Sequence, residues 1–204
     1  MKDKQLEKIK AKIEKYKKAL KADKKHWGGE YHDGQGIRYL IPEQYIKLKD
    51  YKSGQIYLNW FQKNFPNDSG YPNFLFEWTL ILFYCGKLSE AKKKVYHTFF
   101  SNTYLFDKFL EKEPLRLEKY EGSNYALESL ADSFKYKSTD SEFIEFASWL
   151  TNILSSQEFL NKREEYIQIE RKLLTEPVGK VRSELVERSY SIWFANENLD
   201  KEDV

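Results

Sequence analysis

The stretch that decides the fold is FLFEWTLILFYCGKLSEAKKKVY, residues 74–96. An apolar run rich in aromatic residues meets Cys85-Gly86-Lys87-Leu88 and is followed by a second, amphipathic run. Apolar residues that recur every three or four positions indicate helices that bury one face. The stretch therefore predicts a helix, a tight turn and a second helix.

An earlier stretch, Ile41 to Trp60, follows the same plan. It has Leu48-Lys49-Asp50-Tyr51 at the corresponding turn, and Gly54 stands where Ala91 stands later. Tyr51 and Leu88, like Gly54 and Ala91, are separated by 37 residues. This constant offset predicts two helical hairpins in series between Gly36 and Thr103.

The composition favours an all-α protein. A chain of 204 residues is long enough for one domain with its own core, and we expect a single helical domain over residues 1–204. Aromatic residues make up 17% of the chain and should supply much of the buried area. Nine glycines and five prolines are too few for the frequent turns of a many-stranded sheet.

Residues 1–35 are predicted to form an amphipathic helix, from about Lys4 to Lys25, and a glycine-rich loop. One narrow stripe on this helix is apolar and includes Leu6, Ile9, Ile13, Tyr16 and Leu20. A coiled coil of three heptads is marginal, so we expect the stripe to pack within the chain. The first 25 residues hold eleven lysines against four acids, a net charge of +7 in a chain whose total is +2.

Breaks in the sequence place the other helices. Pro42 lies either in the first turn of a helix that begins near Leu40 or at a kink in one that begins near Gly36. We predict further helices over about 52–64, with a break before Pro72, and over about 104–111. Residues 113–204 are predicted to hold four C-terminal helical segments and an acidic tail, residues 196–204.

Two pairs in the C-terminal part have the spacing of a capping box, in which a hydroxyl side chain and an acid three residues later cap a helix start. They are Thr139 with Glu142 and Ser155 with Glu158. We expect a helix to begin at each pair.

The two hairpins, within residues 36–112, resemble tetratricopeptide repeats, which recur at about 34 residues. The matching positions are Trp78, Leu82, Gly86, Leu88 and Ala91 in the second copy and Tyr45, Asp50, Tyr51, Gly54 and Pro66 in the first. Arg38, Pro42, Phe61 and Thr103 depart from that pattern. The runs HDGQGIRYLIPEQY and SNTYL also resemble a set of poorly characterised bacterial proteins with such repeats.

The resemblance implies a solenoid-like stack of antiparallel hairpins whose first helices line a concave face. Such a face binds peptides or partner proteins, which implies a non-enzymatic scaffold. Whether the chain's own helices fill the groove is left open, since two repeats make a short stack. By position, the predicted partner-binding residues are Tyr39, Glu43, Lys47, Asn73, Phe76 and Tyr84.

A metal site and a catalytic cysteine–histidine pair have weaker support in the sequence than the helical repeats. His26, His32 and Asp33 lack the spacing of zinc ligands, so we predict no metal and no other cofactor. Cys85 and His97 could be a nucleophile and its base, but Cys85 ends an apolar run and packing explains it better. We therefore predict no catalytic residues.

The alternative function is nucleic-acid binding through the lysine-rich first helix, with aromatic residues such as Trp60 stacking on bases. A net charge of +2 supports it weakly. The single cysteine fits a reducing compartment, and no stretch approaches the length of a membrane span. These features predict a cytoplasmic protein with no membrane contact and leave the oligomeric state open.

Overall fold

A computed structural model describes residues 3–119 and 124–194, and every regular element in them is helical. The α-helices are α1 Asp3–His26, α2 Ile41–Leu48, α3 Tyr51–Asn64, α4 Pro72–Tyr84, α5 Leu88–Ser101, α6 Leu105–Phe109, α7 Glu128–Asp132, α8 Ile144–Leu154, α9 Gln157–Leu173 and α10 Lys180–Phe194. The all-α prediction is confirmed for these residues. None of their helices is long and apolar enough to cross a bilayer. The predicted acidic tail lies outside the described residues.

The contacts between residues divide the chain into two compact units, Met1–Ala91 and Lys92–Val204. Helix α5 runs through the boundary. The single domain over residues 1–204 stays a prediction, because one domain can contain more than one compact unit.

In the first unit, α1 packs its apolar stripe within the chain, as predicted. Ile13 and Leu20 are buried in one cluster with Ile41, Tyr45 and Tyr57 of α2 and α3. This packing covers the apolar stripe of a helix whose sequence is otherwise dominated by charge.

The chain enters α2 through a 3-10 turn, Ile37–Leu40. Pro42 lies in the first turn of α2, where its missing N–H costs nothing. Of the two predicted placements of Pro42, the structure thus has the one without a kink.

Helix α3 packs closely against α4. A methyl group added to Gly54 would lie 3.0 Å from a terminal carbon of Ile81, so glycine allows the two helices to approach. Further along α3, the Phe61 ring lies 4.6 Å from Phe74 and 5.8 Å from Trp78. Phe61, which departs from the repeat pattern, therefore fills the space between α3 and α4.

The two predicted turns have the same hydrogen bonds at the offset of 37 residues. The N–H of Lys49 donates to the Ile46 carbonyl, and that of Gly86 donates to the Phe83 carbonyl. One residue later, Asp50 donates to Tyr45 and Lys87 donates to Leu82. Lys49 and Gly86 both have a left-handed backbone, with φ of 56° and 74°. The two turns are thus local structural repeats, whereas the solenoid-like stack stays a prediction.

In the second unit, the SNTYL run has a structural role. The Asn102 side chain donates to the carbonyls of Tyr125 and Leu127, at 2.7 and 3.1 Å, and accepts from the N–H of Tyr104. It thereby fixes the segment that leads into α7, a helix of only five residues.

Neither predicted capping box forms, although a helix does begin at the second pair. Helix α8 begins after Phe143 with no side-chain cap, because residues 137–143 form successive turns instead of a helix start. Helix α9 is capped by Ser156, whose hydroxyl accepts from the N–H of Phe159, while Ser155 ends α8. The sequence offers two adjacent serines, and the end of the preceding helix decides which of them caps α9.

We predict that substitutions at the two turns have opposite effects on stability. Gly86→Ala places a Cβ in a left-handed conformation and should lower the free energy of unfolding by about 1 kcal/mol. Lys49→Gly removes the strain of a non-glycine residue in this conformation and should raise the free energy of unfolding. The gain should be only roughly 0.5 kcal/mol, because glycine also makes the unfolded chain more flexible. Urea unfolding of both variants measures this. If both variants lowered the free energy of unfolding by the same amount, Lys49 would not be strained in its left-handed conformation and the prediction would be wrong.

Candidate functional site

A groove in the first unit lies between α1 and α3 and has a volume of about 340 Å³. We call it the α1–α3 groove. Tyr45 of α2 and Tyr31 of the loop after α1 complete its lining. The lining residues are Lys17, Leu20, Lys21, Tyr31, Tyr45, Ser53, Ile56, Tyr57 and Trp60.

Aromatic rings hold one another in place along the groove. Tyr57 and Trp60 stack with centroids 5.2 Å apart, and Tyr31 meets Trp60 edge-on at 5.4 Å. Beside them, Ile56 leaves 69% of its surface exposed, although it lines the same groove. The groove therefore offers rigid apolar walls and one accessible aliphatic side chain.

The charged groups along α1 at this groove are lysines. The Lys17 ammonium lies 5.7 Å from the centre of the Tyr45 ring, and that of Lys24 lies 4.7 Å from the centre of Tyr31. Burial disfavours the charge of Lys17, but the Tyr45 hydroxyl and Glu14 outweigh it and raise the pKa of the ammonium. Lys17 is therefore positively charged at neutral pH.

An ion-pair network lies next to the groove and ties two loops together; we call it the Arg38 network, formed by Asp33, Arg38, Tyr39 and Asp68. The guanidinium of Arg38 donates to Asp33 at 2.9 Å and to Asp68 at 2.7 Å. The Tyr39 hydroxyl accepts from Arg38 at 3.0 Å and donates to Asp68 at 2.6 Å. Burial opposes the charge of Arg38, but the bonds to Asp68 and Asp33 outweigh it and raise its pKa.

The acids of this network also organise the backbone. The Asp33 carboxylate, on a residue only 4% exposed, accepts from the N–H groups of Ile37 and Arg38 at the start of the 3-10 turn. Asp68 accepts from the N–H of Gly70 at 2.9 Å. Asp33 is thus committed to the chain's own donors, and no group of three or more metal-ligating side chains occurs within residues 3–119 and 124–194.

The Arg38 network supports the groove through two contacts. The Tyr57 hydroxyl, from the groove, donates to the carbonyl of Arg38 at 2.7 Å. The Arg38 guanidinium also lies 5.1 Å from the centre of the Phe65 ring, and Phe65 packs on Tyr31 at 5.2 Å. The network therefore fixes two of the rings that line the groove.

None of the residues predicted to bind a partner lines the α1–α3 groove. Tyr39 belongs to the Arg38 network, Glu43 and Lys47 form an ion pair at 2.7 Å, and Tyr84 stacks on Tyr51 at 4.4 Å. Asn73 is partly buried, and Phe76 is fully buried, so the Phe76 side chain belongs to a core and not to an exposed face.

Sequence reasoning named the lysines of α1 and Trp60 only as a possible nucleic-acid site and did not predict that they line one apolar groove. Leu20 does pack as predicted, but the flanking Lys17 and Lys21 then stand opposite Ile56 and Trp60. A signal was present in the sequence. Ile56 and Trp60 are spaced i, i+4, and therefore share a face of α3.

The sulfur and imidazole that could suggest catalysis are not activated. Burial raises the pKa of the Cys85 thiol, which is the opposite of the shift that makes a cysteine nucleophilic. Burial, with a smaller effect of Lys94, lowers the pKa of His97 to about 3, so its imidazole is neutral at pH 7. Each group is explained by its burial.

Comparison with models of known protein families, with curated proteins and with solved structures finds no match for the chain. The resemblance to tetratricopeptide repeats therefore stays a prediction from the residues. The α1–α3 groove and the Arg38 network rest on the geometry of this chain alone.

We predict that Arg38→Met lowers the free energy of unfolding by about 2 kcal/mol or more, because it leaves the carboxylates of Asp33 and Asp68 without their cation. The matched control is Lys10→Met. The ion pair of Lys10 with Glu7 is exposed, and its loss should cost less than about 0.5 kcal/mol. Chemical denaturation compares the two variants. Equal losses would show that the network does not stabilise the fold.

Proposed function

We propose that the protein is a non-enzymatic interaction module that binds a segment of a protein partner in the α1–α3 groove. The observation that carries the proposal is the position of Ile56, which is 69% exposed beside a wall of packed aromatic rings. Tyrosine and tryptophan are enriched at the centres of protein interfaces, and the exposed Ile56 extends the apolar surface that they form here.

The size of the groove agrees with this use. A volume of about 340 Å³ is enough to take large apolar side chains, and it lies near the lower end of ligand pockets. The rings are already held by mutual packing and by the Tyr57 hydrogen bond, so their side chains should lose little conformational entropy when a partner binds.

The non-enzymatic part of the proposal is supported by the state of Cys85 and His97. A protonated thiol and an imidazole with a pKa of about 3 do not suit a nucleophile and its base. The groove is lined by lysine, tyrosine, serine and apolar residues, without an acid–base pair of carboxylates or histidines among its described lining. The proposal includes the cytoplasmic location and the scaffold role predicted from the sequence.

A second candidate is binding of single-stranded nucleic acid, which the proximity of Lys17 and Lys21 to Trp60 favours. Stacking on bases needs an open ring face. The Trp60 ring contacts three other rings, at 5.2 Å from Tyr57, 5.4 Å from Tyr31 and 5.9 Å from Phe65. This packing suits apolar side chains that fit between ring edges better than a stack of bases.

Selection of a random 16-residue peptide library on the full-length protein tests the proposed function. We predict that selected peptides lose at least about tenfold in affinity with Ile56→Arg or Trp60→Ala, because each substitution removes an apolar anchor. Fluorescence anisotropy measures the affinity.

Val178→Arg is the matched control, since Val178 is 96% exposed and does not line the groove. It should leave the affinity unchanged. A library that yields no binding peptides, or peptides that bind the Ile56→Arg variant as well as the native protein, would contradict the proposal.

A further inference from the structure

The charged side chains that line the α1–α3 groove are all positive. Lys17 and Lys21 line it, Lys24 lies over the Tyr31 ring at its end, and none of the described residues that line it is acidic.

Two acids of α1 lie nearby. Glu14 approaches Lys17 at 3.6 Å, but this carboxylate side chain is 63% exposed and can compensate only part of the charge. Asp23 accepts from the backbone N–H groups of His32 and Asp33. The three lysines therefore leave a net positive charge beside the groove.

These lysines share one side of α1. Residues 17, 21 and 24 are spaced i, i+4 and i+7 and so lie along a single face of the helix. Leu20, which is buried below them, fixes the orientation of that face towards the groove. The result is a row of positive charge on α1 and a set of apolar side chains on α3 that line the same groove.

The length of the apolar row indicates what shape fits. The lining residues of α3 run from Ser53 to Trp60, two turns or roughly 10 Å of helix axis, and Ile56, Tyr57 and Trp60 form their apolar part. A partner helix of two to three turns can place side chains at i, i+3 or i+4, and i+7 along such a row. Its opposite edge then faces the lysines.

We propose that the partner segment is an acidic amphipathic helix, with bulky apolar side chains that enter the groove beside Ile56 and Trp60 and with Asp or Glu that face Lys17, Lys21 and Lys24. This inference rests on the proposed function and names the chemistry of its partner. Opposite charges across the interface select the partner and accelerate its association. A basic segment with the same apolar face meets like charge and is rejected.

The experiment uses peptides that the full-length protein selects from the random 16-residue library and that lose affinity with Ile56→Arg. We expect these peptides to carry a net negative charge. The triple variant Lys17→Gln, Lys21→Gln, Lys24→Gln should weaken their binding by about tenfold at low salt, since each exposed pair contributes a fraction of a kcal/mol.

The matched control is the triple variant Lys4→Gln, Lys8→Gln, Lys15→Gln. It removes the same charge from the same helix, on exposed positions of another face, and should keep the native affinity. Equal losses in the two triple variants would overturn the proposal, because they would show attraction by net charge alone.

The remaining outcomes separate this inference from the proposed function. Groove-dependent peptides that are neutral or basic overturn the acidic partner and leave the proposed function standing. The absence of any groove-dependent peptide overturns both. Binding of a 15-nucleotide oligo-dT that is tighter than that of any selected peptide, and is lost with Trp60→Ala, overturns both in favour of single-stranded nucleic acid.

Discussion

The first unit depends on the guanidinium of Arg38, which joins the loop of Asp33 to that of Asp68, thirty residues beyond Arg38 in the chain. Through Asp33 it fixes the 3-10 turn that leads into α2, and through Asp68 it fixes the loop between α3 and α4. A partly buried cation with two carboxylates and a phenol is stable only when every partner is in place. The same constraint therefore sets the entry into α2 and the connection from α3 to α4.

The groove follows from this constraint. Tyr57 is held by the Arg38 carbonyl, and Phe65, under the guanidinium, supports Tyr31. The Arg38 network thus fixes Tyr57 and Tyr31, two of the rings that line the groove, while α1 contributes lysines to the same lining. Polar contacts position the site, and apolar surface with positive charge gives it its binding chemistry.

The two turns and the burial of the α1 stripe could be predicted from the sequence, whereas the helix caps and the Arg38 network could not. The turns at Lys49 and Gly86 were predictable because a helix end depends on neighbouring residues. Arg38 stood out only as a departure from the repeat pattern, since nothing in the sequence relates it to Asp68. The predicted face around Tyr39 and Phe76 was inferred from a resemblance, and it did not foresee that Tyr39 is taken up by the Arg38 network and that Phe76 is buried.

The central claim is that the α1–α3 groove binds an apolar segment of a partner. The most direct measurement is a ¹H–¹⁵N NMR titration of the full-length protein with a selected peptide. The account predicts that the largest shifts fall on residues 17–21 and 56–60, including the Trp60 indole N–H. Shifts confined to other residues, with the Trp60 indole unchanged at saturation, would contradict it.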